Sequence, residues 1–260
     1  MEKRADLALK KFNDYVDSFS GWSEDQIKNL EIKREHSFRV AQLATMLAGK
    51  MELNETETYL AYLIGLFHDI GRFKQLKEFN TFNDAKSVDH ADYAVEILKE
   101  NNFFEDLDEG QINLILLAIS QHNKLGLSKK MSDKERLFAQ LIRDADKLDI
   151  LRVLTDYYTN PKATPNHTLT WEMPRGVAVS PKVSKQILNG DLVSKDTVAS
   201  ELDIKVMQLS WVYDLNYRQS FEVMVENRYV DKIYNSMPKN DTVIEIYRKI
   251  KVYIENKVIA

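Results

Sequence analysis

Apolar residues recur along this chain mainly at three- and four-residue intervals, the spacing that puts them on one face of a helix. From His36 onward, Val40, Leu43, Ala44, Leu47 and Met51 share such a face. The spacing predicts helices over Lys3–Ser18, Glu24–Met51, Glu55–Ile70, His90–Asn101, Gly110–His122, Asp133–Tyr158, Ser180–Leu188, Thr197–Asp214 and Asn216–Met237. A last one, Asp241–Lys257, opens with an Asp/Thr cap. Sustained strand alternation is scarce, so an all-α fold is expected. Pro161, Pro165, Pro174 and Gly176 crowd the stretch 159–180, which reads as a long loop or a boundary. Residues 1–158 then form a helical core, and 159–260 a proline-rich loop plus a C-terminal helical extension packed on it. Trp211, Tyr213, Tyr217, Phe221 and Tyr229 read as packing residues of that extension.

Composition narrows the chemistry. The chain of 260 residues is 44% hydrophobic and 29% charged, ordinary for a globular protein. Its net charge of −4 argues against a protein that wraps polymeric nucleic acid. No run approaches the ~20 apolar residues of a membrane span, and Met1-Glu-Lys-Arg-Ala-Asp6 lacks the apolar segment of a secretory signal. A cytoplasmic protein without a membrane partner is expected. Cysteine is absent, so any metal must be held by His, Asp or Glu.

Four of the five histidines sit at the edge of apolar helical patterns. His36 lies on the inward face described above. His68 follows Leu60, Ile64 and Phe67, with Asp69 next to it. His90 opens a segment whose inner face is Ala94, Ile97 and Leu98. His122 ends the apolar run Ile112–Ile119, and Asp146 lies four residues from Ile142 and Ile150. Burying ionisable groups costs several kcal/mol each unless they are paired. A metal cluster satisfies all six together, and imidazole with carboxylate suits a divalent ion. His167, in the proline-rich loop, falls outside this pattern.

The order His, 31 residues, His-Asp, 76 residues, Asp resembles the HD-domain superfamily of metal-dependent phosphohydrolases. Glu35-His36-Ser-Phe-Arg-Val40, Leu66-Phe-His-Asp-Ile-Gly71 and Asp144-Ala-Asp-Lys-Leu-Asp149 are similar to its ligand segments, over roughly residues 30–155. The resemblance implies that His36, His68, Asp69 and Asp146 bind a first metal, with Asp144 the alternative to Asp146. His90 and His122 match the extra histidines of the dinuclear branch, in which Asp69 bridges two ions. That branch includes the HD-GYP phosphodiesterases and the oxygenases similar to myo-inositol oxygenase. Many relatives have His-His where this chain has His122-Asn123, and the Gly-Tyr-Pro signature is missing, so HD-GYP activity is not carried over.

The function so implied is hydrolysis of a small phosphorylated molecule, a nucleotide or phosphomonoester, by a metal-activated hydroxide. Asp69, Arg72 and Lys147 would be catalytic, with Arg72, Lys147 and Asp149 contacting substrate. Lys74 and Arg143 are secondary cationic candidates. Two divalent ions per chain are expected, with iron or manganese favoured and nickel, cobalt or zinc possible. Asp84, Lys86, Ser87 and Asp89 form a polar loop before His90, read as solvated. A di-iron mixed-valent oxygenase and a non-catalytic nucleotide-binding sensor are the alternatives. Oligomeric state stays open.

Overall fold

The computed structural model describes residues 2–160, 162, 171 and 173–259, and among these there is no strand. Part of the proline-rich stretch, including Pro161 and Pro165, therefore lies outside the described residues, as does His167. No described helix is long and apolar enough to cross a membrane. The chain divides into two compact units, Met1–Asp146 and Lys147–Ala260.

The first unit is built from α1 (Glu2–Asp17), α2 (Glu24–Lys50), α3 (Glu55–Phe67), α4 (Gly71–Phe79), α5 (His90–Glu100), α6 (Glu109–Gln121) and the first half of α7 (Asp133–Thr159). Three of these helices start on reciprocal caps. Ser23 with Gln26, Asn54 with Glu57 and Asp108 with Gln111 each satisfy amide hydrogens that the first turn leaves over. Phe12 of α1 meets Phe38, Phe67 and Phe73 edge-on, with ring centroids 5.6–5.8 Å apart. The buried faces of α2, α3, α5 and α6, including Val40, Ala44, Ile64, Ala94 and Ile119, complete this core.

Two glycines let backbones touch. An added Cβ on Gly65 would lie 2.7 Å from Ala41 Cα, so α2 and α3 pack without an intervening side chain. One on Gly71 would lie 2.3 Å from His90 O and 2.8 Å from Ala94 N, which ties α4 to α5. Both contacts fall within a turn or so of a polar group expected at the site.

The predicted helix over Glu55–Ile70 ends early, at Phe67. Ile70 N–H donates to Phe67 O at 3.1 Å and Arg72 N–H to Asp69 O at 2.9 Å, tight three-residue turns that stop one helix and launch α4. The segment expected as one helix over Asn216–Met237 is likewise two, α10 (Arg218–Glu226) and α11 (Tyr229–Asn235), because Arg228 adopts a left-handed φ of 55°.

The second unit holds the rest of α7, α8 (Pro181–Asn189), α9 (Glu201–Ser210), α10, α11 and α12 (Asp241–Ile259). Its core includes Val183, Ile187, Val206, Phe221, Ile233, Val243 and Ile250. The cap of α12 is Asn240, whose Oδ1 accepts from Val243 N–H at 3.0 Å, rather than the Asp/Thr pair that opens the helix.

Candidate metal centre

Each group expected to ligate metal within the first unit reaches one place. His36 comes from mid-α2 and His68 with Asp69 from the turn after α3. His90 is the first residue of α5, His122 follows the last residue of α6, and Asp146 lies on α7. His36, His68, Asp69, His90 and His122 are each no more than 6% exposed. Asp146 keeps 20% of its side chain in solvent, so the cluster has an opening.

Asp69 divides the cluster in two. Its Oδ2 lies 3.8 Å from His36 Nε2 and 3.7 Å from His68 Nε2. Asp146 Oδ1 joins that side, 3.1 Å from His36 Nε2 and 3.9 Å from His68 Nε2. Asp69 Oδ1 instead faces His90 Nε2 at 3.4 Å and His122 Nε2 at 3.9 Å. One carboxylate thus presents a different oxygen to each pair of imidazoles.

Hydrogen bonds fix which ring nitrogen can ligate. His68 Nδ1–H donates to Gly65 O at 2.8 Å and His122 Nδ1–H to Ile119 O at 2.7 Å, since a carbonyl can only accept. His90 Nδ1–H donates to Asp84 Oδ2 at 2.6 Å. Each Nε2 lone pair is left to point at the cluster, the arrangement in which the outer nitrogen of a ligating histidine is hydrogen-bonded. His68 Nε2 is buried and has no hydrogen-bond partner. His90 Nε2 and His122 Nε2 stand 3.0 Å apart, close enough to ligate one cation. Nitrogens bound at about 2.1 Å with a right angle between them would be separated by about 3.0 Å. The donor set therefore fits divalent metal.

Electrostatics prepare the same groups. Burial pushes the His68 and His122 imidazoles towards the neutral, ligating form, His122 down to about 3. Burial would raise the Asp69 carboxyl, but the Lys33 ammonium and the Arg72 guanidinium outweigh it and hold it well below the usual range. For Asp146 the same contest is won by the bond from His36.

Residues 34–151 match the family model for the HD domain. They form an HD domain. HD domains bind divalent metals, and the family includes metal-dependent phosphohydrolases. No curated protein and no solved structure matches the chain. All six expected ligands fall inside the HD segment, and so do Arg72, Lys147 and Asp149.

The supporting residues are arranged differently from the sequence reading. The loop before His90 is a bonded strut rather than a solvated connection. Asp84 Oδ1 accepts from Arg72 Nη1 at 2.7 Å and from Gln75 Nε2 at 3.0 Å, while its other oxygen holds His90. Gln75, fully buried, also donates to Ser87 Oγ and Val88 O. Asp89 caps α5 and accepts from Lys124 and Asn123. Arg72 spends Nη1 on Gln75, Phe82 O and Asp84. Its Nη2 lies 3.4 Å from His90 Nε2. Arg143 donates to the carbonyls of Gln121, His122 and Lys124, closing the end of α6. In the second unit Lys147 pairs with Asp214 at 2.6 Å and Asp149 with Arg152 at 3.2 Å.

Lys33 is the residue the sequence reading lacks. Its Nζ donates to Asp69 Oδ2 at 2.7 Å. The available signal was its position three before His36, which places both on one side of α2.

Proposed function

We infer that this protein is a phosphohydrolase that uses two divalent ions to cleave a small phosphorylated molecule, a nucleotide or a phosphomonoester. The observation that carries this reading is Asp69, whose two oxygens face separate imidazole pairs. His36, His68, Asp146 and Asp69 Oδ2 would hold one ion, and His90, His122 and Asp69 Oδ1 the other. Ions there would supply Lewis acidity towards a phosphoryl oxygen and lower the pKa of water from about 15.7 towards about 7. Gly65 O and Ile119 O keep His68 and His122 in the ligating tautomer, and Asp84 does the same for His90. Nitrogen-rich halves of this kind suit iron or manganese better than magnesium.

The test is elemental analysis of protein purified without chelator, followed by turnover of p-nitrophenyl phosphate and a nucleotide panel. About two ions per chain and phosphate release are expected, and Asp69→Asn should remove both. One ion per chain, with His90→Gln indistinguishable from wild type, would refute the paired site. Two irons with a mixed-valent resonance and no phosphate release would transfer the site to oxygen chemistry.

A further inference from the structure

The geometry points to Lys33 as the residue that binds the phosphate group of the substrate, an assignment that rests on the function proposed above. A phosphoryl group beside the ligand set needs a cation with hydrogen-bond donors to spare. The other cations nearby are engaged elsewhere. Arg72 directs Nη1 to Gln75, Phe82 O and Asp84 and Nη2 towards His90, leaving only its buried Nε without a hydrogen-bond partner, and Arg143 donates to the carbonyls that end α6. Lys124 is held between Asp89 and Asp92 at 2.7 and 3.0 Å. Lys74 lies over the Tyr93 ring, 4.8 Å from its centroid.

Lys33 combines spare donors with contact to the cluster. Its ammonium carries three donors, and Asp69 is its one polar partner among the described residues. Its side chain is 23% exposed whereas that of Asp69 is 4% exposed, so Lys33 spans from the buried bridging carboxylate to solvent. The Phe82 ring, with its centroid 5.8 Å from Lys33 Nζ and 5.9 Å from Arg72 Cζ, walls the space between the two cations. A phosphate oxygen entering beside Asp69 Oδ2 would meet the two remaining donors of Lys33. With metal on Asp69, the ammonium would lose part of its attraction to that carboxylate and be available to an incoming anion. Lys33 stands immediately before the segment that matches the HD domain.

The experiment compares wild type, Lys33→Gln and Lys33→Arg, each loaded with manganese, by calorimetric titration with inorganic phosphate and by ion content. Phosphate should bind Lys33→Gln about ten- to a hundredfold more weakly, the loss of a charge-assisted hydrogen bond. Lys33→Arg should recover most of it, with ion content equal in all three. In turnover the glutamine variant should raise KM more than it lowers kcat. Equal phosphate affinity in Lys33→Gln would overturn the assignment. So would a loss of metal in that variant, which would make Lys33 a positioning residue for Asp69. Lys33-dependent phosphate binding without hydrolysis would keep this assignment and refute the hydrolase, whereas hydrolysis indifferent to Lys33 would do the reverse.

Discussion

Replacing Gly71 with alanine tests whether backbone contact between α4 and α5 sets the metal centre. The new methyl would sit 2.3 Å from His90 O, 2.8 Å from Ala94 N and 3.3 Å from Ala94 Cα, all backbone atoms that cannot swing aside. Relief to ordinary contact near 3.4 Å requires the two helices to part by about 1 Å. Overpacking of this kind costs about 1–3 kcal/mol, against a helix-propensity gain of at most ~1 kcal/mol. The net loss, up to about 2 kcal/mol, corresponds to a fall in melting temperature of up to about 8 °C for a chain of this size. His90 opens α5 and moves with it, while ligand distances must hold within about 0.2 Å. Metal analysis should therefore show the His90/His122 half emptied and the His36/His68 half retained. Gly49→Ala is the matched control: an exposed position on α2 with nothing within 4 Å of the new methyl. It should gain about 0.5–1 kcal/mol in urea denaturation. Gly71→Ala as stable as wild type, with full metal content, would refute the reasoning.

Asp84→Asn removes the charged acceptor of His90 Nδ1–H and one anchor of Arg72, so affinity for the second ion should fall about 10- to 100-fold, measured by competition with a chromophoric chelator. Stripping metal from wild type should lower the melting temperature by about 5–10 °C if ions were present at about a hundred times Kd, and calorimetry of chelated and reloaded protein reads this directly. In the second unit, burial would raise the Asp231 carboxyl, but the Tyr247 hydroxyl at 2.7 Å, then Lys251 and Arg228, hold it below its ordinary value. A carboxyl lowered on folding contributes stability above the unfolded pKa and loses it as pH falls through the folded one. Between about pH 6 and about pH 3, wild type should lose more urea resistance than Asp231→Asn; parallel losses would dismiss the linkage.

The clustering of the histidines was legible because four of them, with Asp69 and Asp146, stand at the edges of apolar helical patterns and would otherwise each need a separate buried partner. Their supports were not. Lys33 and Asp84 are charged residues of a kind usually found solvated, and only the folding of α2 and the 84–86 turn brings them against Asp69 and His90. The end of α3 at Phe67 was hidden because Ile70 keeps the apolar helical spacing from Phe67 and no glycine or proline stands between Phe67 and Gly71. The break at Arg228 has no glycine to mark it. Capping boxes, by contrast, have a sequence form, and Ser23, Asn54 and Asp108 stand where the predicted helices begin.

The division of Asp69 also makes its two sides unequal. The Oδ2 side shares Asp69 with a carboxylate of its own, Asp146. The Oδ1 side has no second carboxylate ligand among the described residues, and the Arg72 guanidinium stands 3.4 Å from His90 Nε2. With one carboxylate ligand more, an ion on the Oδ2 side would be the last to leave, even with the Lys33 ammonium 2.7 Å from Asp69 Oδ2. Scarcity of metal would then produce a defined half-occupied species, not a uniform dilution, and two different metals offered together would sort themselves between the sides.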